Sequence, residues 1–131
     1  MKTCLIVEDS SIVREIAVRI LRELCVEPRE AETAERGIEF CKNKKPDAVL
    51  LDWDLPSMGA LDFLRGVAAL PQEARPPIVL VATENDHQQF TLARAAGAAH
   101  HILKPFDFET VARKLAELGV VKEAGGARAA S

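Results

Sequence analysis

The chain has 131 residues, with 20 Asp and Glu against 17 Lys and Arg and a formal net charge of −3 at pH 7. That length fits one domain able to bury about two-thirds of the surface its unfolded chain would expose. The mild charge alternates along the helical stretches, which leaves no basic face for nucleic acid or a membrane surface, and no apolar run reaches the roughly 18 residues a bilayer demands. The three cysteines show no Cys-x-x-Cys spacing. They read as buried thiols of a cytosolic protein, against a disulfide framework or zinc site. With no secretory leader pattern either, the expectation is a soluble, cytoplasmic protein.

Short apolar runs alternate with helix-period segments, which predicts βαβ units around a parallel sheet. Thr3–Val7 is the first strand. Ser10 or Ser11 caps a helix running to 24, with Ile12, Val13, Ile16, Ile20, Leu21 and Leu24 on one face. Residues 26–31 make a poor second strand, since Pro28 lacks a ladder donor, and it is placed at a sheet edge. A helix over 34–42 follows, then Ala48–Asp52 as the third strand, apolar enough to be buried on both faces. Residues 60–70 read as helix. The Pro76-Pro77 break precedes Ile78–Ala82 as the fourth strand. A helix over 86–96 is stopped by Gly97. Residues 101–103 form the fifth strand, and a last helix runs from 106 or 107 to 118. Residues 1–121 are read as the domain, and 122–131 as an Ala- and Gly-rich tail without an output domain.

Three of these strands end on chemistry. Asp52 closes Ala48-Val49-Leu50-Leu51, Glu8 and Asp9 follow Cys4-Leu5-Ile6-Val7, and Lys104 follows His101-Ile102-Leu103. Ligands of parallel sheets gather beyond the strands' carboxyl ends, so these four residues are placed where chemistry happens. A lone Asp at a strand end is more often a helix cap or a solvated loop residue; acids and a lysine at three separate strand ends favour a site. Clustered carboxylates repel and call for a compensating cation. Mg²⁺, a hard ion that shares its shell with water and phosphate, suits Asp9 and Asp52, with Glu8 acting partly through water. Asp52 would attack a phosphoryl group while the metal and the Lys104 ammonium neutralise the transferred oxygens. Edge placement of the second strand and apposition of the first and third give the order 2-1-3-4-5, a doubly wound α/β sheet of five parallel strands.

The stretches Leu5-Ile6-Val7-Glu8-Asp9-Ser10, Leu50-Leu51-Asp52-Trp53-Asp54-Leu55-Pro56 and Lys104-Pro105-Phe106-Asp107 resemble the receiver domains of two-component response regulators. Among these the chain is most similar to the single-domain chemotaxis type, CheY-like, over about residues 3 to 121. The 2-1-3-4-5 flavodoxin-like order is already known for that type. The resemblance implies that Asp52 accepts phosphate from a histidine kinase, CheA-type or hybrid, and that Glu8 and Asp9 help bind Mg²⁺. It further implies that the Asp54 backbone carbonyl completes the protein ligands, that Lys104 contacts the phosphoryl group, and that the Lys104–Pro105 bond is cis. The output is expected through protein contact on the face of the fourth helix, fifth strand and fifth helix, with the flagellar switch or a relay protein as partner. Such a receiver phosphorylates and dephosphorylates itself and is not a turnover enzyme.

The chain also departs from the family. Ala82 stands where a Thr or Ser hydroxyl is usual at the end of the fourth strand, and Thr83 is its neighbour. Thr83 either rescues the phosphoryl contact or, as favoured here, serves the loop or caps the next helix. His101 replaces the usual aromatic switch residue, as a swinging ring or as a partly exposed strand histidine without that role. Ala60 takes the place of a usual Gly, with Gly59 beside it, which shifts the loop after the third strand. Asp54 adds a carboxylate that would repel phosphate or orient the hydrolytic water. Arg94, Asp107 and Arg113 read as solvated surface charges. Weakened coupling through Ala82 and His101 makes a phosphate sink or phosphorelay intermediate the alternative. Two remoter readings stand beside it. One is a haloacid-dehalogenase-type phosphatase using Asp52-x-Asp54, and the other is a receiver-like binding module that is never phosphorylated.

Overall fold

The computed structural model describes residues 1–83 and 87–122. Five strands, β1 (Thr3–Val7), β2 (Glu27–Ala31), β3 (Ala48–Asp52), β4 (Ile78–Ala82) and β5 (His100–Leu103), alternate with five helices. These are α1 (Ser11–Glu23), α2 (Ala34–Asn43), α3 (Gly59–Ala68), α4 (His87–Ala95) and α5 (Phe108–Glu117). The strands form one parallel sheet in the order β2-β1-β3-β4-β5, as the sequence predicts. The predicted helix start at Asp86 and all of the tail but Lys122 lie outside the described residues.

Burial follows strand position. Every residue of β3 and β4 is buried, because helices cover both faces of the sheet's centre. On one face Leu5, Val7, Val49, Leu51 and Leu80 pack against Phe63 and Leu64 of α3, Cys41 of α2 and Phe90 of α4. On the other, Cys4, Ile6, Leu50, Val79 and Val81 pack against Ala17, Ile20 and Leu21 of α1 and Val111 and Leu115 of α5. The edge strand β2 carries Pro28 opposite Cys4, with Arg29 and Glu30 exposed. There a missing ladder donor faces solvent.

Side-chain caps set the starts of α1, α2 and α5. Ser10 accepts the Val13 amide for α1, Thr33 the Arg36 amide for α2, and Asp107 the Thr110 amide for α5. Gly97, at φ 113°, ends the turn after α4.

Two expectations need correction. Ile12 and Ile16 are 70% and 44% exposed, because they lie on the flank of the α1 stripe that Ala17, Ile20 and Leu21 centre on the sheet. Cys25 is exposed in a left-handed turn at φ 60°, where the chain reverses from α1 into β2, while Cys4 and Cys41 are buried as expected. After β3 the chain enters the helix predicted over 60–70. It makes a 3-10 turn over Pro56–Met58 and starts α3 at Gly59, whose own backbone is right-handed; Ser57 and Met58 carry the left-handed conformation instead.

Candidate functional site

The parallel register brings the carboxyl ends of β1, β3 and β5 to one edge. Val7 pairs with Leu51, and Asp52 with Val81, so the residues that follow Val7 stand beside Asp52. Lys104 is brought in from the end of β5 by its amide, which donates to the Ala82 carbonyl at 2.7 Å. The Lys104–Pro105 bond is cis.

At this edge Glu8, Asp9 and Asp52 each offer a carboxylate oxygen within 4.8 Å of the others. Asp52 and Glu8 are each only 3% exposed, while Asp9 faces solvent. Lys104 Nζ lies 3.0 Å from Asp52 Oδ1 and 3.0 Å from Glu8 Oε1. Asp52 Oδ1 also accepts the Asp54 amide at 3.0 Å, and Glu8 Oε2 accepts the Ser10 amide at 3.1 Å. Two buried acids thus share one ammonium.

That sharing sets the electrostatics. Burial, followed by the neighbouring Asp52, pushes the Glu8 carboxyl up to about 7, against the pull of Lys104 and the Ser10 amide. Burial would depress the Lys104 ammonium, but Asp52 and Glu8 together outweigh it and hold its pKa above the ordinary lysine value. Three carboxylates against one ammonium leave the cluster short of positive charge. The hard oxygen donors, with an open side at Asp9, fit a divalent ion of the Mg²⁺ kind. Elsewhere burial drives the Cys4 and Cys41 thiols up to about 12 and 11, far from reactive thiolates.

Of the predicted switch positions, Ala82 meets the cluster through its carbonyl, which accepts the Lys104 amide. Ala82 is buried in the core beside Leu80. Thr83 is exposed and its hydroxyl donates to Asp54 Oδ2 at 3.3 Å, on the loop after β3. The favoured sequence reading of Thr83, as serving the loop or capping the next helix, falls on 84–86, outside the described residues. The Asp54 carboxylate is therefore engaged by Thr83. His101 is half-buried and stacks on Phe90 of α4, with ring centroids 4.1 Å apart. Asp107, read as a surface charge, caps α5.

Arg14 was missed. Its side chain is 12% exposed and reaches back to the acid turn, where Nη1 donates to the Glu8 carbonyl at 2.8 Å and the Asp9 carbonyl at 3.2 Å. The signal was available. A cation near the start of a helix opposes the macrodipole, and α1 has no acid in its first turn to offset it.

Comparison with known proteins decides the family. The model of the response regulator receiver domain matches residues 4–116. The chain belongs to the response-regulator receiver family. This receiver is 31% identical over 112 residues to the chemotaxis protein CheY-3 of Vibrio cholerae, covering 85% of this chain and 86% of the relative. It is likewise 31% identical over 118 residues to a CheY homologue of Campylobacter jejuni, at 87% and 89% coverage. Its fold superposes on that of Vibrio cholerae CheY4 with a TM-score of 0.83 at 24% identity, covering 90% of this chain and 98% of the other.

Receivers generally use Mg²⁺ at an acidic pocket and interact with histidine kinases or phosphotransfer proteins, and this receiver has the acidic group. The phosphatase reading finds no support. Among the described residues no helix is long and apolar enough to cross a membrane.

Proposed function

We propose that this receiver is a stand-alone, cytoplasmic response regulator of the chemotaxis type, phosphorylated on Asp52 by a histidine kinase with Mg²⁺ bound. The single observation that carries the reading is the placement of Lys104 Nζ 3.0 Å from Asp52, within a group of three carboxylates. Asp52 Oδ1 already accepts the Asp54 amide and the Lys104 ammonium, so Oδ2 is assigned to the attack. As the Oδ2–P bond forms, the bond from phosphorus to the donor histidine nitrogen breaks, and the nitrogen keeps the electron pair. Lys104 stays in reach of the developing charge on the phosphoryl oxygens. Glu8, Asp9, Asp52 and the Asp54 carbonyl would hold Mg²⁺, which supplies further charge neutralisation in the transfer. Such a receiver is a phosphorylated switch protein and not a turnover enzyme.

Output runs through the α4-β5-α5 face. Leu92 of α4 and Leu103 of β5 are 60% and 39% exposed, and the Phe90–His101 stack ties the two elements together. One observation favours a second reading, a phosphate sink or relay intermediate: Ala82 has no hydroxyl, and the neighbouring hydroxyl of Thr83 is engaged by Asp54.

The test is a phosphotransfer profile against purified histidine kinases and acetyl phosphate, with Asp52→Asn as control. Label on Asp52 from at least one donor, only with Mg²⁺, is expected. Absence of label from every donor would return the chain to the unphosphorylated binding-module reading. Amide shifts of α4 and β5 with beryllofluoride separate switch from sink, since only a switch moves both elements.

A further inference from the structure

The geometry points to Arg14 as a positioning residue that holds the Glu8–Asp9 turn in the shape a divalent cation needs. The inference rests on the reading of Glu8, Asp9 and Asp52 as a cation site. The turn is held by its main chain, and Arg14 supplies most of the grip. Nη1 bonds the carbonyls of both Glu8 and Asp9, at 2.8 and 3.2 Å. The same guanidinium is anchored at the end of β2, with Nε 3.1 Å from Oε1 of Glu30 in the strand and Nη2 3.8 Å from Oε1 of Glu32 just beyond it. The Glu8 amide adds a parallel tie to the Ala31 carbonyl at 3.0 Å. Thus the acid turn is braced between α1 and the edge strand by a planar fork whose shape a lysine cannot copy.

Two effects of Arg14 on a cation oppose each other. Its positive charge repels the ion, whereas its grip on two successive carbonyls keeps the Glu8 and Asp9 side chains converging on Asp52. Glu30 and Glu32 offset the charge. The Glu8 amide is also tied to Ala31, but the exposed Asp9 is gripped at its carbonyl by Arg14. Positioning is therefore the larger effect. Removing groups that orient metal ligands typically costs about 10–100-fold in metal affinity.

The test is a Mg²⁺ titration of the full chain followed by the fluorescence of Trp53, the single tryptophan and the neighbour of Asp52. Urea unfolding in EDTA serves as the parallel readout. Arg14→Ala and Arg14→Lys are both expected to weaken Mg²⁺ by about tenfold or more, an effect that persists at about 1 M salt, where charge effects beyond about 3 Å are screened. A through-space charge role predicts the opposite sign for Arg14→Ala and a wild-type value for Arg14→Lys. Either result overturns the inference, as does loss of stability in EDTA with unchanged Mg²⁺ affinity. Should Arg14→Ala fail to fold, Arg14→Lys and the pair Glu30→Gln with Glu32→Gln decide, the pair by a smaller weakening. Wild-type protein that gives no Mg²⁺ response at all overturns the cation site itself and is a separate outcome.

Discussion

Lys104 bridges Glu8 and Asp52, with its ammonium 3.0 Å from an oxygen of each. The lysine thus has a structural duty before any phosphate arrives, because it is the compensating charge for two buried acids. Lys104→Met should lower both phosphorylation rate and stability. Breaking a fully buried pair costs about 3–5 kcal/mol. Lys104 keeps some solvent contact and Glu8 can take up a proton, so a loss of about 1–3 kcal/mol is expected above pH 7. Urea midpoints in EDTA check the stability, and acetyl phosphate labelling checks the rate. An unchanged midpoint at pH 8 would contradict this duty.

The pH dependence of the metal-free protein follows from Glu8. Its carboxyl titrates near 7 in the fold against an ordinary value of 4.5. Between these values the folded state holds a proton that the unfolded chain has lost, so stability falls as pH rises. The contribution is complete below about 4.5 and gone once the pH has passed about 7, with an upper bound of about 3 kcal/mol. Glu8→Gln should flatten this slope and be the more stable protein at pH 8 in EDTA. With Mg²⁺ present the cation competes with the proton, so Mg²⁺ affinity should rise through pH 7.

Exchanging the residues at the end of β4 tests the coupling. Ala82→Ser with Thr83→Ala moves the hydroxyl to the end of β4 and frees the Asp54 carboxylate from its 3.3 Å bond. A hydrogen bond to a charged phosphoryl oxygen is worth about 1.5–3 kcal/mol, enough to shift a two-state equilibrium at least tenfold. The double variant should show larger beryllofluoride-dependent amide shifts in α4 and β5 than wild type. Equal shifts would mean that the missing hydroxyl is not what limits the response.

The loop after β3 stores strain at Ser57 and Met58, at φ 57° and 60°. A side chain in the left-handed region costs about 1–2 kcal/mol, and glycine removes that cost but adds about 0.5–1 kcal/mol of unfolded-chain entropy. Ser57→Gly and Met58→Gly should each therefore stabilise by about 0.5–1 kcal/mol. Both side chains are exposed, so little packing is lost, and denaturant midpoints read the gain directly.

Legibility tracked the range of the interaction. The strands β1, β3 and β4 could be read because each is a short apolar run, a pattern that survives any rearrangement elsewhere. Glu8, Asp9, Asp52 and Lys104 could be read because each stands at the end or just beyond such a run, and a parallel sheet gathers those ends without further information. The flank position of Ile12 and Ile16 was harder, since apolar spacing along α1 marks a wide stripe but not its centre on the sheet. The turn at Cys25 and the double left-handed pair at Ser57 and Met58 gave no local signal, as neither holds the glycine such backbone favours.

What the chain determined by itself was the alternation of strands and helices, the edge placement of β2 and the four charged groups at one sheet edge, because period, caps and proline act locally. Only the tertiary structure decided how those groups are held. Arg14 meets Glu30 from 16 residues away, Thr83 meets Asp54 from 29, and Lys104 meets Asp52 from 52. Each of these contacts exists because parallel pairing and helix docking carry distant backbone to one place, where hydrogen-bond distance, not sequence distance, chooses the partner.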